Sequence, residues 1–259
     1  MTGVKGETPY ERVKDLMERL RGECPWDREQ SFESIAPYTI EEAYEVVDAI
    51  EQNDMDALRE ELGDLLLQVV FHSKLADETG AFNLDDVTDD LVKKMVRRHP
   101  HVFGNEDVNS VPGNWEKLKE AERTAKGQTS RLDGVALGLP ALMRAQKLQK
   151  RAAKSGFDWP DLAGVWDKIN EEIGEVKEAI EKGNTTDMEE EIGDLLFSVV
   201  NLSRKLGVDS EVALRRTNAK FSRRFKGVEE RAGKSIQDLE LETLEAYWQA
   251  VKSEETKLN

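Results

Sequence analysis

Ten acids recur in one arrangement. Glu41-Glu42-Ala43-Tyr44-Glu45 is followed by Glu61-Leu62-Gly63-Asp64-Leu65-Leu66, and 130 residues later Glu171-Glu172-Ile173-Gly174-Glu175 is followed by Glu191-Ile192-Gly193-Asp194-Leu195-Leu196. Both copies run E-E-x-x-E and then E-x-G-D-L-L. On a helix, residues three apart share a side, so Glu42 pairs with Glu45, Glu61 with Asp64, Glu172 with Glu175, and Glu191 with Asp194. Four carboxylates gathered near a helix interface repel one another and lose hydration, at a cost of several kcal/mol. A hard divalent cation offsets that, and an oxygen-only set without His or Cys suits Mg²⁺ or Mn²⁺. Glycine at 63 and 193 costs about 1 kcal/mol relative to alanine inside a helix, which predicts close approach of backbone or ligand there.

Basic residues recur in the same order. Lys94, Arg97 and Arg98 correspond to Lys220, Arg223 and Arg224; further on, Trp115 and Lys119 correspond to Trp248 and Lys252. A Lys/Arg cluster beside a separate metal cluster is what a triphosphate requires. The tryptophans are read either as stacking on a base or as closing a core. The competing reading of all these charges is a helical scaffold whose acids solvate it and whose basic residues balance the acids.

Other constellations carry less. His99-Pro100-His101 lacks companion ligands at zinc spacing and reads as a loop or helix end. His72 follows Asp64 by two turns and reads as a helix-surface histidine. Cys24-Pro25-Trp26-Asp27 has no second thiol and no nearby histidine for a nucleophilic role. Neither a Rossmann nor a P-loop glycine motif occurs.

The elements that must hold the acids are helices. Ile40, Tyr44, Val47 and Ala49-Ile50 form one apolar stripe, and Leu58, Leu62, Leu65, Leu66 and Val69 the next. Ile169, Ile173, Val176 and Ile180, then Met188, Ile192, Leu195 and Val199, repeat the pattern. Short turns at Gln52-Asn53-Asp54 and at Lys182-Gly183-Asn184-Thr185 make each pair antiparallel. Asp54 or Asp56, and Thr186 or Asp187, are the expected helix N-caps. The fold class is all-α, with two tandem modules at 1–123 and 139–259 and a linker at 124–138. A helix with Leu142, Ala145, Leu148 and Ala152 on one face opens the second module.

Composition agrees. Of 259 residues, 35% are charged and the net charge is −16, which argues against nucleic acid as a partner but not against a small phosphorylated ligand. The single cysteine, Cys24, points to a reducing compartment. With no apolar signal core and no membrane-length apolar run, a soluble, cytoplasmic protein is expected.

The chain resembles the MazG nucleotide pyrophosphohydrolases. The residues that carry the likeness are Cys24-Pro25-Trp26-Asp27, Ala36-Pro37-Tyr38-Thr39, both pairs of acidic motifs, Arg97 to Phe103, Leu139-Pro140-Ala141-Leu142 and Gly156-Phe157-Asp158-Trp159. The resemblance implies paired helical modules in a homodimer and Mg²⁺-dependent hydrolysis of nucleoside triphosphates to monophosphate and pyrophosphate, with broad base specificity. A house-cleaning enzyme selective for one non-standard nucleotide is the alternative. By matching position, Glu42, Glu45, Glu61 and Asp64 bind metal in module one, and Glu172, Glu175, Glu191 and Asp194 in module two. Glu172 or Glu175 takes a proton from water. Lys220, Arg224 and Trp248 hold the nucleotide, helped by Lys168; Arg223, Arg97, Arg98 and Lys119 are further nucleotide-binding candidates. Module two is favoured as the catalytic one, because Asn201 and Asn218 stand where module one has Phe71 and Val92.

Overall fold

The computed structural model describes residues 3–104, 127 and 129–258. Every regular element among them is helical. The chain divides into two compact units, Met1–Leu118 and Lys119–Asn259. Trp115 and Lys119 lie outside the described residues, as does part of the interval 124–138.

Unit one contains α1 (Pro9–Glu23), α2 (Pro25–Glu29), α3 (Phe32–Gln52), α4 (Met55–Glu78), α5 (Leu84–Arg98) and α6 (Pro100–Phe103). Local chemistry sets their starts: Thr8 with Glu11, and Asn83 with Asp86, form capping boxes at α1 and α5. Between α3 and α4 the chain reverses through Asn53, which is left-handed with φ 55°, and Asp54 then caps α4 by accepting from the amides of Asp56 and Ala57. Helix α1 packs across α4, and Met17, Ile35, Val70, Phe71, Leu75 and Leu84 form the core.

Unit two repeats the plan with α7 (Ala141–Lys154), α8 (Ala163–Lys182), α9 (Thr185–Lys205), α10 (Ser210–Ala232), a 3-10 turn (Gly233–Asp238) and α11 (Leu241–Leu258). Gly183 supplies the left-handed residue between α8 and α9, with φ 68°. The cap of α9 is Asn184, not Thr186 or Asp187; its side chain accepts from the Thr186 amide as soon as the glycine has turned the chain. Gln146 pins α10 to α7: its Oε1 accepts from the amide and hydroxyl of Ser210, and its Nε2 donates to Val208 O. Part of the interval 124–138 is tied to α7, since Arg151 donates to the carbonyls of Asp133 and Gly134.

The apolar stripes are only partly covered within each unit. Ala49 and Ala179 are buried, whereas Ile40, Leu62, Leu66 and Val69 in unit one and Ile180, Ile192, Leu196 and Val199 in unit two are exposed. Each stripe is wider than one neighbouring helix can cover. The close approach expected at Gly63 and Gly193 is not made by the described chain: a Cβ on either would meet nothing within 4 Å.

Candidate active site

Helices α8 and α9 run antiparallel from the Gly183 turn, so the acid pairs of the two helices face each other. Carboxylate oxygens of Glu172, Glu175 and Glu191 lie within 4.8 Å of one another, and those of Glu42, Glu45 and Glu61 on α3 and α4 do the same. Asp194 and Asp64 are not part of these closest triads. They are near enough for their charge to act: Asp194 helps raise the Glu191 carboxyl, and Asp64 helps raise those of Glu42 and Glu61. In all three the larger cause is loss of solvent, as it is for Glu175, whose carboxyl is raised next by Glu172 and Glu191. These are sites where negative charge is held against its own repulsion.

Module two adds a cation of its own. Lys168, one turn before Glu172, places Nζ 2.8 Å from Glu171 and 2.6 Å from Glu172. Those hydrogen bonds, to Glu171 first, hold the ammonium well above the ordinary lysine range. Glu172 is 2% exposed, and its second oxygen, Oε2, has no partner. A buried carboxylate oxygen without a donor, beside two more carboxylates, fits a hard cation as the missing ligand. In module one the place of Lys168 is taken by Tyr38, which meets Trp26 edge to face at 6.4 Å.

Space for a ligand adjoins the acids of module two. A cavity of about 480 Å³ is bounded by Lys168, Glu172 and Asp194, and also by Gln149, Phe157, Asp158, Trp159, Asn201 and Arg204. Asn201 therefore belongs to the site, but Asn218 is exposed on α10 and does not bound the cavity. At the Asn201 position module one has Phe71, which is 4% exposed and part of the hydrophobic core.

The basic cluster forms a second, separate group. One carboxylate, Glu255, accepts from Nε of Arg223 (2.8 Å) and Nε of Arg224 (2.7 Å). The Arg224 guanidinium lies 5.8 Å from the Trp248 ring, which also packs on Phe221. Lys220 is exposed on the same helix. None of Lys220, Arg223, Arg224 and Trp248 bounds the cavity. In module one, Arg97 and Arg98 occupy the last turn of α5.

Three smaller readings resolve here. His99 ends α5, with Nδ1 2.7 Å from Met95 O, in keeping with a helix-end role. His72 is not on an open helix surface: it stacks on Phe32 and bonds Thr39 between α3 and α4. Cys24 joins α1 to α2 and is half-buried. Sequence reasoning missed Gln149, Arg204 and Glu255. Arg204 carried a signal, since Asp194, Asn201 and Arg204 fall on one face of α9 at helical spacing. Glu255 had none, being one acid among many.

Comparison with known proteins settles the lineage. The family model for the MazG nucleotide pyrophosphohydrolase domain matches residues 30–103 and 164–229, the acid-bearing helices of both modules. The chain belongs to the MazG nucleotide pyrophosphohydrolase family. A nucleoside triphosphate pyrophosphohydrolase of Escherichia coli K12 is 49% identical over 259 residues, covering 96% of this chain and 98% of that protein. A Thermotoga maritima protein named nucleoside triphosphate pyrophosphohydrolase/pyrophosphatase MazG is 46% identical over 94% of this chain and 95% of its own. A Mycolicibacterium smegmatis nucleoside triphosphate pyrophosphohydrolase is 41% identical over 58% of this chain and 48% of its own. The MazG fold therefore accounts for both halves of the duplication.

Proposed function

We propose that this MazG chain hydrolyses nucleoside triphosphates to nucleoside monophosphate and pyrophosphate, that the acids of module two do the work, and that Mg²⁺ is required, with Mn²⁺ able to substitute. One observation carries the choice of module: a single cavity is bounded by Glu172, Asp194 and Lys168, so carboxylates and an ammonium converge on room for a ligand. Family membership and the two near-full-length relatives support the reaction class.

Glu172, Glu175 and Glu191 would hold the cation, with Asp194 beside them. Bound there, it supplies neutralisation of triphosphate charge and a lowered pKa for water. The protein's own groups account for the rest. Glu175 accepts the proton of the attacking water, its basicity increased by partial burial and by Glu172 and Glu191. Glu172 is committed to Lys168 and orients it, and Lys168 offers its remaining donor to the phosphates. Arg223 and Arg224 have only their Nε atoms engaged by Glu255, which leaves their terminal nitrogens for the leaving pyrophosphate, with Lys220 on the same helix.

Broad base specificity is in keeping with the aromatic and aliphatic part of the cavity wall, to which Phe157, Trp159 and Leu148 contribute. The exposed apolar residues of α3, α4, α8 and α9 fit a homodimer in which these helices are covered by a second copy. Among the described residues no helix is long and apolar enough to cross a membrane, and the lone Cys24 suits the cytoplasm.

Incubation with ATP and Mg²⁺, scoring pyrophosphate against orthophosphate, tests the reaction. Pyrophosphate with AMP is expected; orthophosphate alone overturns it.

A further inference from the structure

The segment between α7 and α8 presents two large aromatic side chains to solvent, with Phe157 84% exposed and Trp159 39% exposed. Exposed rings on a fixed segment mark a binding surface more often than scattered surface residues do. This segment is fixed. Arg204 reaches from α9 to grip the Asp158 carboxylate through both terminal nitrogens, and Lys205 Nζ donates to Trp159 O at 2.6 Å. Arg204 is held in turn by Asn201, whose Oδ1 accepts from its Nε at 3.1 Å and from its Nη2 at 2.6 Å. The indole of Trp159 lies against Gly164, where a Cβ would collide with the ring, so glycine at 164 is needed for the ring to sit there.

Phe157 and Trp159 bound the same cavity as Glu172 and Asp194. Its volume, about 480 Å³, falls in the range of small-molecule sites. Asn201 also bounds it and is 6% exposed; its oxygen is used by Arg204, while its Nδ2 donates to no described atom. The cavity thus combines an aromatic wall, the unengaged amide nitrogen of Asn201, the buried and unpartnered Oε1 of Gln149, and the acid cluster.

We infer that the region walled by Phe157 and Trp159 is the nucleoside subsite, in which the base of a purine or pyrimidine nucleotide stacks on the aromatic wall and Asn201 Nδ2 donates to an oxygen of the ribose or base. The inference rests on the proposed triphosphate hydrolysis and adds where the organic half of the substrate lies. Stacking suits every base, since each has a π face. Arg204 and Asp158 act as positioning residues that hold the wall.

The test separates base from phosphate. In Mg²⁺, Trp159→Ala is expected to raise KM for ATP, GTP, CTP and UTP about tenfold, the scale of one lost base stack. The inhibition constant of inorganic tripolyphosphate, which has no base, stays within about twofold under the same stacking argument. Trp159→Phe keeps most of the nucleotide affinity. Phe157→Ala removes an exposed ring that supports nothing in the fold, so it carries the same test should Trp159→Ala fail to fold. A KM unchanged in both alanine variants, or a tripolyphosphate constant that rises in step with KM, overturns the subsite. A second readout needs neither metal nor turnover: adenosine in EDTA should quench tryptophan fluorescence of the wild-type protein and not of Trp159→Phe. Equal quenching in both, or none in the wild type, also overturns it. Pyrophosphate release by an enzyme insensitive to Trp159 and Phe157 sinks this inference alone, whereas absence of pyrophosphate release sinks the proposed reaction and leaves the adenosine titration to judge the subsite.

Discussion

Modules one and two carry the same acids at the same helical spacing, and in both triads the nearest carboxylate oxygens lie within 4.8 Å of one another. What surrounds them differs. In module two an ammonium, Lys168, leans on Glu172, and a cavity adjoins the carboxylates. In module one, Tyr38 replaces the lysine, and Phe71 fills with core what Asn201 leaves as a polar wall. Carboxylate spacing is therefore retained in both copies by the helix hairpin, while the cavity beside the acids depends on a few side chains one or two turns away.

The sharpest break of this comparison is to remove one acid from each copy. Glu172→Ala should lower kcat/KM for ATP by about a thousandfold, the scale of losing a group that acts on the transition state. Glu42→Ala should lose no more than about threefold, as a residue outside the reacting site; activity lost only in Glu42→Ala would reverse the assignment. Exchanging the residues that differ comes next. Asn201→Phe, which installs the module-one side chain, should close the cavity and reduce kcat/KM by about a hundredfold through misplacement of the substrate. The reverse change, Phe71→Asn, should destabilise module one by about 3–5 kcal/mol in chemical denaturation, because it leaves a cavity and buries an amide. Lys168→Tyr, the other exchange, should raise KM about tenfold by removing one charge-assisted contact to the phosphates.

The smallest expected effect is on stability against pH, and it should be common to both modules. Glu42, Glu61, Glu175 and Glu191 all have raised carboxyls, chiefly through lost solvent and then through one another. For an acid raised in the folded state, the native protein takes up protons before the unfolded chain does. Stability therefore rises as pH falls through the folded pKa toward the ordinary value, and the destabilisation is full above it. Thermal melts in EDTA should climb by at most a few degrees on mild acidification from neutral pH. Saturating Mg²⁺ should flatten that trend; a metal-free protein that loses stability over the same mild acid range would contradict the coupling.

Much of this was legible in the sequence, because the acids and the apolar stripes obey one periodicity. The hairpins α3–α4 and α8–α9, the Asp54 cap and the opening helix α7 all follow from local rules. Coverage of the stripes was not legible: whether Leu62 or Ile192 is buried depends on which helices come to lie against it, and spacing within one helix is silent on that. The site was read by halves. Acid spacing located the triads, and Asn201 was noticed through the duplication, but Arg204, Gln149 and Glu255 act through partners 46, 48 and 31–32 residues away. Arg223, Arg224 and Trp248 lie together and none of them bounds the acid cavity, and sequence order does not say which face of a bundle a later helix will present.

Glu255 has a consequence for how an anion would meet this protein. One carboxylate shared by two guanidiniums restricts how both arginine chains lie. Ordering a free arginine side chain costs up to about 2 kcal/mol of rotamer entropy. Here that loss is incurred when α10 and α11 come together, before any ligand arrives. A phosphate docking on Arg223 and Arg224 would thus find a preorganised receptor, and its binding should show a smaller entropic penalty than in Glu255→Ala, where each arginine must be immobilised anew.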